Sequence, residues 1–211
     1  RLEREVEAVF PDVVCRRMDS DTMRGPGSHE QVLSAFRHGD VRILLGTQMI
    51  AKGLDFPNVT LVGVVNADTS LHLPDFRAAE RTFQLVAQVA GRTGRGEKPG
   101  RVLVQTYSPE EPAIRFAAQH DYLGFVTAEI PRRREFSVPP FGRLIRLIAR
   151  GPVEVDVATF IQTAAEAFRA ARAPGGAIRV MGPAPAPIVK IRNLYRYHLQ
   201  LRADSARPLQ Q

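Results

Sequence analysis

The first half of the sequence alternates short apolar runs with amphipathic helix patterns, and this alternation limits the possible fold more than any other feature. Continuous apolar runs lie at 41–46 and 58–67, and a helical pattern at 81–92 precedes another run at 101–108. Such runs are typical of strands that are covered on both faces. Strands separated by helices predict an open parallel sheet, so we expect an α/β fold with its functional loops at the carboxyl ends of the strands.

The second half has a different pattern. A strand at 143–150, an amphipathic helix at 155–173 and two further strands at 178–188 and 195–203 follow one another. This β-α-β-β order predicts a small α+β domain whose sheet is covered on one face.

The charges are divided unevenly between the halves. Residues 1–127 carry 15 Lys and Arg against 16 Asp and Glu, whereas residues 128–211 carry 14 against 6. A basic second half fits a polyanionic partner, and composition alone fits a solubilising basic surface equally well.

The sequence also limits the compartment. Cys15 is the single cysteine, which excludes an internal disulfide and favours a reducing cytoplasm. No apolar run approaches the roughly 20 residues of a membrane span, so we expect no membrane association.

A glycine- and arginine-rich motif ends the helical run at 84–96, QLVAQVAGRTGRG. Gln88 is followed by Arg92 and Arg95, and a glycine precedes each arginine. Guanidinium groups bind phosphate oxygens through a planar fork, and the glycines let a large charged ligand approach the backbone. The motif therefore suits a transferring phosphoryl group. Taken alone, it is more typical of a glycine-capped helix end whose arginines face the last carbonyl groups.

A second motif follows the strand at 41–46. Thr47 and Gln48 come directly after this strand, and Gly53 and Asp55 come after a short predicted helix. Free N–H groups and a small hydroxyl at such a turn can hold a phosphate backbone, and Asp55 can accept a hydrogen bond from a ribose hydroxyl. Taken alone, this motif is more typical of an ordinary β–α turn capped by Thr47.

In this order and about forty residues apart, the two elements resemble motifs V and VI of superfamily 2 helicases. The run at 43–114 resembles the PriA family of primosomal replication-restart helicases more closely. The runs at 139–151 and 182–201 resemble that family's C-terminal domain.

The resemblance implies three segments. Residues 1–108 would be the second RecA-like helicase lobe, incomplete at its N-terminus, with a parallel sheet. Residues 109–141 would be a helix that begins near Pro112 and a basic linker rich in proline. Residues 142–211 would be a small, truncated α+β C-terminal domain.

The resemblance also implies residue roles. Arg95 would be the arginine finger at the γ-phosphate of ATP, with Arg92 beside it and Gln88 helping to position it. Gly53 and Asp55 would contact the nucleotide from the opposite side. The residues predicted to bind DNA are Thr47, Gln48, Lys52, Arg132, Arg133, Arg134 and Arg196.

Arg196 lies between Tyr195 and Tyr197. This grouping fits the combination of charge and stacking that holds single strands, although the two tyrosines are more typical of strand residues in a small core.

Membership of this family would imply an ATP-dependent 3′-to-5′ DNA helicase of the replication-restart primosome. ATP and Mg²⁺ would be shared with a first lobe whose phosphate-binding and acidic motifs are not in this sequence, and zinc would belong only to an upstream region. The expected partners are single-stranded and forked DNA, the tail of single-stranded-DNA-binding protein, and other primosome proteins. We expect the chain alone to be inactive. The alternatives are another superfamily 2 DNA or RNA motor, or a stand-alone nucleic-acid-binding module.

Overall fold

The computed structural model describes residues 2–18, 28–47, 58–91, 99–171 and 178–209. The chain divides into two compact units, Arg1–His72 with Ala79–Tyr122 and Leu73–Ala78 with Leu123–Gln211. Within the described ranges, every helix is too short or too polar to cross a membrane.

The first unit alternates helices with short strands. Its elements in chain order are α1 (Leu2–Val9), β1 (Cys15–Met18), α2 (Ser28–His38), β2 (Ile43–Gly46), β3 (Leu61–Val64), α3 (Asp68–Leu71), α4 (Ala78–Ala90), β4 (Arg101–Val104) and α5 (Pro112–Ala118). β1 pairs with β2 and β3 pairs with β4, both in parallel. The predicted parallel α/β arrangement is confirmed in the form of these two strand pairs.

The strands of the first unit are less buried than their apolar sequences predict. Leu61 and Leu103 are 57% and 61% exposed. A pair of strands leaves more of each face uncovered than the continuous sheet that the pattern predicts. Most of the described buried apolar residues of this unit lie instead on its helices, namely Leu33, Phe83, Val86, Val89, Ala113, Ile114 and Ala117.

β3 and β4 are also shorter than their apolar runs predict, at 4 residues each. Asn66 has a φ of 58°, a left-handed conformation that an extended strand cannot continue through. Beyond the ladder, Gln105 N–H donates to the Val64 carbonyl at 2.9 Å, and Ala67 N–H donates to the Gln105 carbonyl at 3.0 Å. The two segments therefore stay side by side while the chain turns at the carboxyl edge of the pair.

The second unit contains a three-stranded antiparallel sheet with strand order β5-β7-β6. Its elements are α6 (Tyr122–Glu135), β5 (Arg143–Gly151), α7 (Glu154–Ala170), β6 (Arg179–Ile191), β7 (Leu194–Ala203) and a short 3-10 helix (Arg207–Leu209). The predicted β-α-β-β order and the α+β class are confirmed.

α7 covers one face of this sheet. The core cluster joins α7 to β7 and contains Ile161, Ala165, Leu199 and Leu201, none of them more than 5% exposed. Ile145, Leu147 and Val180 pack against it from the strands. Because side chains alternate along a strand, the intervening positions lie on the opposite face of the sheet.

The connection between the two halves differs from its prediction in two ways. The pattern predicts one helix beginning near Pro112, whereas the structure has α5 and α6, separated by residues 119–121. His120, between them, has a φ of 54°, which no helix continues through.

The first part of the predicted basic linker, as far as Glu135, is helical. α6 continues through Pro131 and ends at Glu135, so Arg132, Arg133 and Arg134 form its last turn. Proline lacks an N–H and usually ends a helix. Here Arg133 forms an ion pair with Glu129, one turn earlier, at 2.9 Å, and this contact across the proline stabilises the extra turn.

Candidate nucleotide and nucleic-acid site

Gln88, the first residue of the glycine- and arginine-rich motif, lies in the last turn of α4 and is half-buried. Val86 and Val89 of the same helix are 1% and 6% exposed, so the apolar side of α4 is packed and its rotation about the helix axis is determined. The helix ends at Gly91, whose N–H donates to the Ala87 carbonyl at 3.1 Å. The position of Gln88 is therefore set by core packing.

Thr47 is exposed and follows the last residue of β2 directly, as predicted. It therefore lies at the carboxyl end of a parallel strand, where α/β folds place their functional loops. Several predicted residues lie outside the described ranges, and their roles stay predictions: Gln48, Lys52, Gly53, Asp55, Arg92 and Arg95.

A buried carboxylate holds together the segments that follow β3 and β4. Asp68 is 8% exposed and accepts hydrogen bonds from Thr106 Oγ1 at 2.9 Å and from Tyr107 N–H at 3.0 Å. These hydrogen bonds, chiefly the one from Tyr107 N–H, hold the pKa of Asp68 below its ordinary value. Nε2 of His72 lies 3.9 Å from the same carboxylate. No residue pattern predicts this contact, because Asp68 and Thr106 are far apart in the sequence.

Asp68→Asn should lower the melting temperature at neutral pH, since an amide accepts these two hydrogen bonds less strongly than a carboxylate. The folded-state pKa of Asp68 is depressed, so its contribution is present above the unfolded pKa of about 4 and is lost as the pH falls through the folded value. The difference in melting temperature from wild type should therefore shrink on acidification. Asp12→Asn, at an exposed turn, is the control; equal melting temperatures for both variants at pH 7 would contradict this role of Asp68.

Arg133, predicted to bind DNA, is built into the packing of the second unit. Its side chain is 13% exposed, and its Nε lies 2.9 Å from Oε1 of Glu129, whose side chain is 11% exposed. Its guanidinium carbon lies 5.5 Å from the centre of the Phe76 ring, over which Arg77 also lies, at 5.3 Å. Cation–π contacts and a shielded ion pair give Arg133 a structural role, whether or not it also meets DNA.

The neighbouring arginines differ from Arg133. Arg132 is exposed, and Arg134 is exposed with its guanidinium carbon 4.8 Å from the centre of the Phe141 ring. Arg132 is exposed and, among the described residues, has neither an ion pair like that of Arg133 nor a ring contact like that of Arg134, so it is the best placed of the three to contact a phosphate. DNA contact by this turn stays a prediction.

Arg196 lies on β7, on the face of the sheet opposite α7. Its partner in the register is Arg150 of β5, and its Nη1 donates to the Ile188 carbonyl at 3.4 Å. The two arginines therefore stand side by side on neighbouring strands.

The tyrosines on either side of Arg196 lie on the other face. Tyr197 packs against the α7 core, and its hydroxyl donates to Oε1 of Glu154 at 3.0 Å, which raises the pKa of Tyr197. Lys190 Nζ lies 4.4 Å from the centre of the Tyr195 ring. Because side chains alternate along β7, Arg196 and these tyrosines cannot act together on one strand of DNA, and the tyrosines are core and edge residues.

Arg146 and His198, which no motif singles out, form a pair on the same face as Arg196. Arg146 Nε donates to Nδ1 of His198 at 3.1 Å, and Nη2 of Arg146 lies 2.8 Å from that nitrogen. Burial and then the charge of Arg146 lower the pKa of His198. The imidazole is therefore neutral near pH 7, and the arginines supply the positive charge of this face.

Two family models match the chain in succession. Residues 4–97 match the helicase conserved C-terminal domain, and residues 134–211 match the primosomal protein N C-terminal domain. Among solved structures, the chain is similar to the E. coli DEAD-box protein SrmB bound to regulator of ribonuclease activity A. That likeness has 18% identity and a TM-score of 0.33, over 56% of this chain and 63% of the other.

Curated relatives match nearly the whole chain. Replication restart protein PriA of Bacillus subtilis (strain 168) is 48% identical over 203 residues, which are 96% of this chain and 25% of that protein. The protein of the same name from Synechocystis is 44% identical over 93% of this chain and 23% of its own length. The one from Treponema pallidum is 43% identical over 100% of this chain and 32% of its own length. The chain thus spans about a quarter to a third of these relatives, and it belongs to the PriA family of replication restart proteins.

Proposed function

We propose that the chain is the C-terminal portion of an ATP-dependent DNA helicase that moves 3′ to 5′ and acts in replication restart. The observation that carries this proposal is the succession of a helicase domain at 4–97 and a primosomal domain at 134–211. The names of the relatives support it, since they are called replication restart proteins. ATP hydrolysis and unwinding are activities of the whole protein, of which this chain supplies one part.

The nucleotide role falls to Gln88, in the last turn of α4, and to Arg92 and Arg95, which follow this helix in the sequence. Arg95 reaches the γ-phosphate of ATP as an arginine finger, with Arg92 beside it and Gln88 helping to position it. A guanidinium fork that is already in place stabilises charge as it develops on the transferring phosphoryl group. The packed apolar side of α4 supports this proposal, because it orients the last turn that leads to the arginines.

The other half of the nucleotide site belongs to a first helicase lobe. That lobe supplies the phosphate-binding loop and holds Mg²⁺, which neutralises charge on the β- and γ-phosphates when bound. Gly53 and Asp55 contact the nucleotide from this chain.

DNA is bound by both units. Thr47, Gln48 and Lys52 lie along the single-strand track, and the position of Thr47 at the carboxyl end of β2 supports this. The basic second unit contacts forked DNA, with Arg132 and Arg196 among its cations. The same unit serves the tail of single-stranded-DNA-binding protein and other primosome proteins.

The test is phosphate release by the full-length protein and by the 211-residue chain, with and without single-stranded DNA. We expect DNA-stimulated hydrolysis by the full-length protein and none by the chain, because its arginines are half of a site shared by two lobes. Duplexes with a 3′ or a 5′ single-stranded tail report the direction of movement. Turnover by the chain alone, or hydrolysis by the full-length protein without any strand displacement, would contradict the proposal.

A further inference from the structure

The face of the C-terminal sheet that α7 leaves uncovered carries a dense group of cations. The strand register places five arginines on it, namely Arg146, Arg150, Arg179, Arg196 and Arg202. No Asp or Glu occupies a described strand position on this side of the sheet. We call this surface the open face.

Most of these guanidinium groups have no partner within the protein. Among the residues that the structure describes, the side chains of Arg150, Arg179 and Arg202 form no hydrogen bond and no ion pair, and Nε of Arg202 is buried without a partner. A buried N–H group without a partner is costly, and arginine fills its donor positions wherever an acceptor is available. The open face therefore presents donors for an external acceptor.

The strand register also places arginines directly opposite one another on neighbouring strands. Arg150 stands directly opposite Arg196, and Arg179 stands directly opposite Arg202. Like charges directly opposite on neighbouring strands destabilise a sheet. An anion bound between them removes this repulsion, so the pattern favours a polyanionic ligand.

The length of the face indicates what kind of polyanion it fits. Arg196 and Arg202 are the two arginines of β7, and they are about 20 Å apart at the usual rise of a strand. Arg146 lies between the two opposed pairs and is held in place by its hydrogen bonds to His198. Fixed cations spread over this length fit a polymer with regularly repeated charges, such as a nucleic-acid backbone.

The other side chains of the face distinguish duplex from single-stranded DNA. Proteins hold single strands by stacking bases on aromatic side chains. The described strand positions of the open face contain no Phe, Tyr or Trp, and its exposed apolar residues include Ile148, Met181 and Ile191. The one aromatic ring at these positions is the imidazole of His198, which is hydrogen-bonded to Arg146. Arginines with so little stacking surface beside them are suited to phosphates, which position a duplex without reading its sequence.

We propose that the open face binds the sugar-phosphate backbone of duplex DNA. Arg150 and Arg196 contact phosphates at one end, and Arg179 and Arg202 contact them at the other. This inference rests on the proposed function, because it gives the C-terminal unit of a DNA motor a specific ligand. The duplex part of a fork is bound here, and the single strand passes along the first unit.

The experiment compares two double variants of the 211-residue chain. The open-face variant carries Arg150→Gln and Arg196→Gln. The control carries Arg115→Gln and Arg207→Gln, which remove the same charge from two exposed positions that are not part of the open face. Binding to a duplex, to a single strand of the same sequence and to an acidic peptide is measured over a range of salt concentrations.

For duplex DNA, log affinity falls as log salt concentration rises. We expect the open-face variant to make this slope less steep by about two, while the control keeps the wild-type slope. Single-strand binding should change little. The melting temperature of the open-face variant should stay equal or rise, because an opposed pair of like charges has been removed. A structural role for the pair would lower it.

An unchanged duplex slope overturns the proposal. If the salt slope decreases equally for duplex and single-stranded DNA, the assignment to duplex DNA is overturned. If only the affinity for the acidic peptide falls, the open face is a peptide site. A fall in melting temperature also counts against the proposal, because it makes Arg150 and Arg196 structural. Failure of the proposed function has a separate signature, since it is the absence of DNA-stimulated ATP hydrolysis in the full-length protein.

Discussion

Arg95→Ala in the full-length protein is expected to reduce ATP turnover on the order of 10³-fold or more, while DNA affinity stays largely unchanged. An arginine finger stabilises charge that appears only in the transition state, so its loss affects the chemical step far more than binding. Steady-state phosphate release and DNA binding, measured on the same preparation, separate the two effects.

Two further variants make this prediction specific. Arg95→Lys keeps the charge and loses the planar fork, so its ATP turnover should be reduced nearly as much as that of Arg95→Ala. Arg101→Ala removes an exposed arginine at the start of β4 and should leave turnover unchanged. A variant at Arg95 that hydrolyses ATP normally but releases DNA would reverse the assignment of this motif.

Arg133→Ala is expected to destabilise the second unit by about 3 kcal/mol. The substitution leaves the largely buried Glu129 carboxylate without its guanidinium partner, and it removes the cation–π contact with Phe76. Because the ion pair spans Pro131, the last turn of α6 should also fray. Chemical denaturation followed by amide hydrogen exchange of α6 and the C-terminal strands measures both effects.

Arg132→Ala is the matched control, since it is the next residue in the same helical turn and is exposed. It should change stability by no more than about 0.5 kcal/mol. If this turn meets DNA, Arg132→Ala should lower the salt slope of binding by about one. Equal stability of the Arg132 and Arg133 variants would contradict the structural role assigned to Arg133.

The elements that the sequence predicts best are those set by local periodicity. The alternation in 143–150 predicts β5, and the spacing of apolar residues such as Ile161 and Ala165 predicts α7 and its covered side. The parallel pairs of the first unit follow in the same way from apolar runs separated by helices. Alternation also shows in retrospect that Arg196 cannot share a face with Tyr195 and Tyr197.

Contacts between distant residues could not be predicted. Arg133 has a structural role because Phe76, far upstream, lies against it, and no local pattern indicates this. Asp68 is held by Thr106 and Tyr107 only because β3 and β4 are neighbours. The extra turn of α6 beyond a proline has both a local contact, the ion pair between Glu129 and Arg133, and a distant one, the contact of Arg133 with Phe76. Together they override the local preference against a helix at this proline.

The nucleotide site is the central claim, and a crystal structure of the full-length protein with ADP and a metal fluoride tests it most directly. The fluoride occupies the position of the transferring phosphoryl group. We predict the guanidinium of Arg95 within about 3 Å of a fluoride, with Arg92 beside it and Gln88 against the same turn. Both arginine side chains directed into solvent, with the fluoride bound by the first lobe alone, would contradict the account.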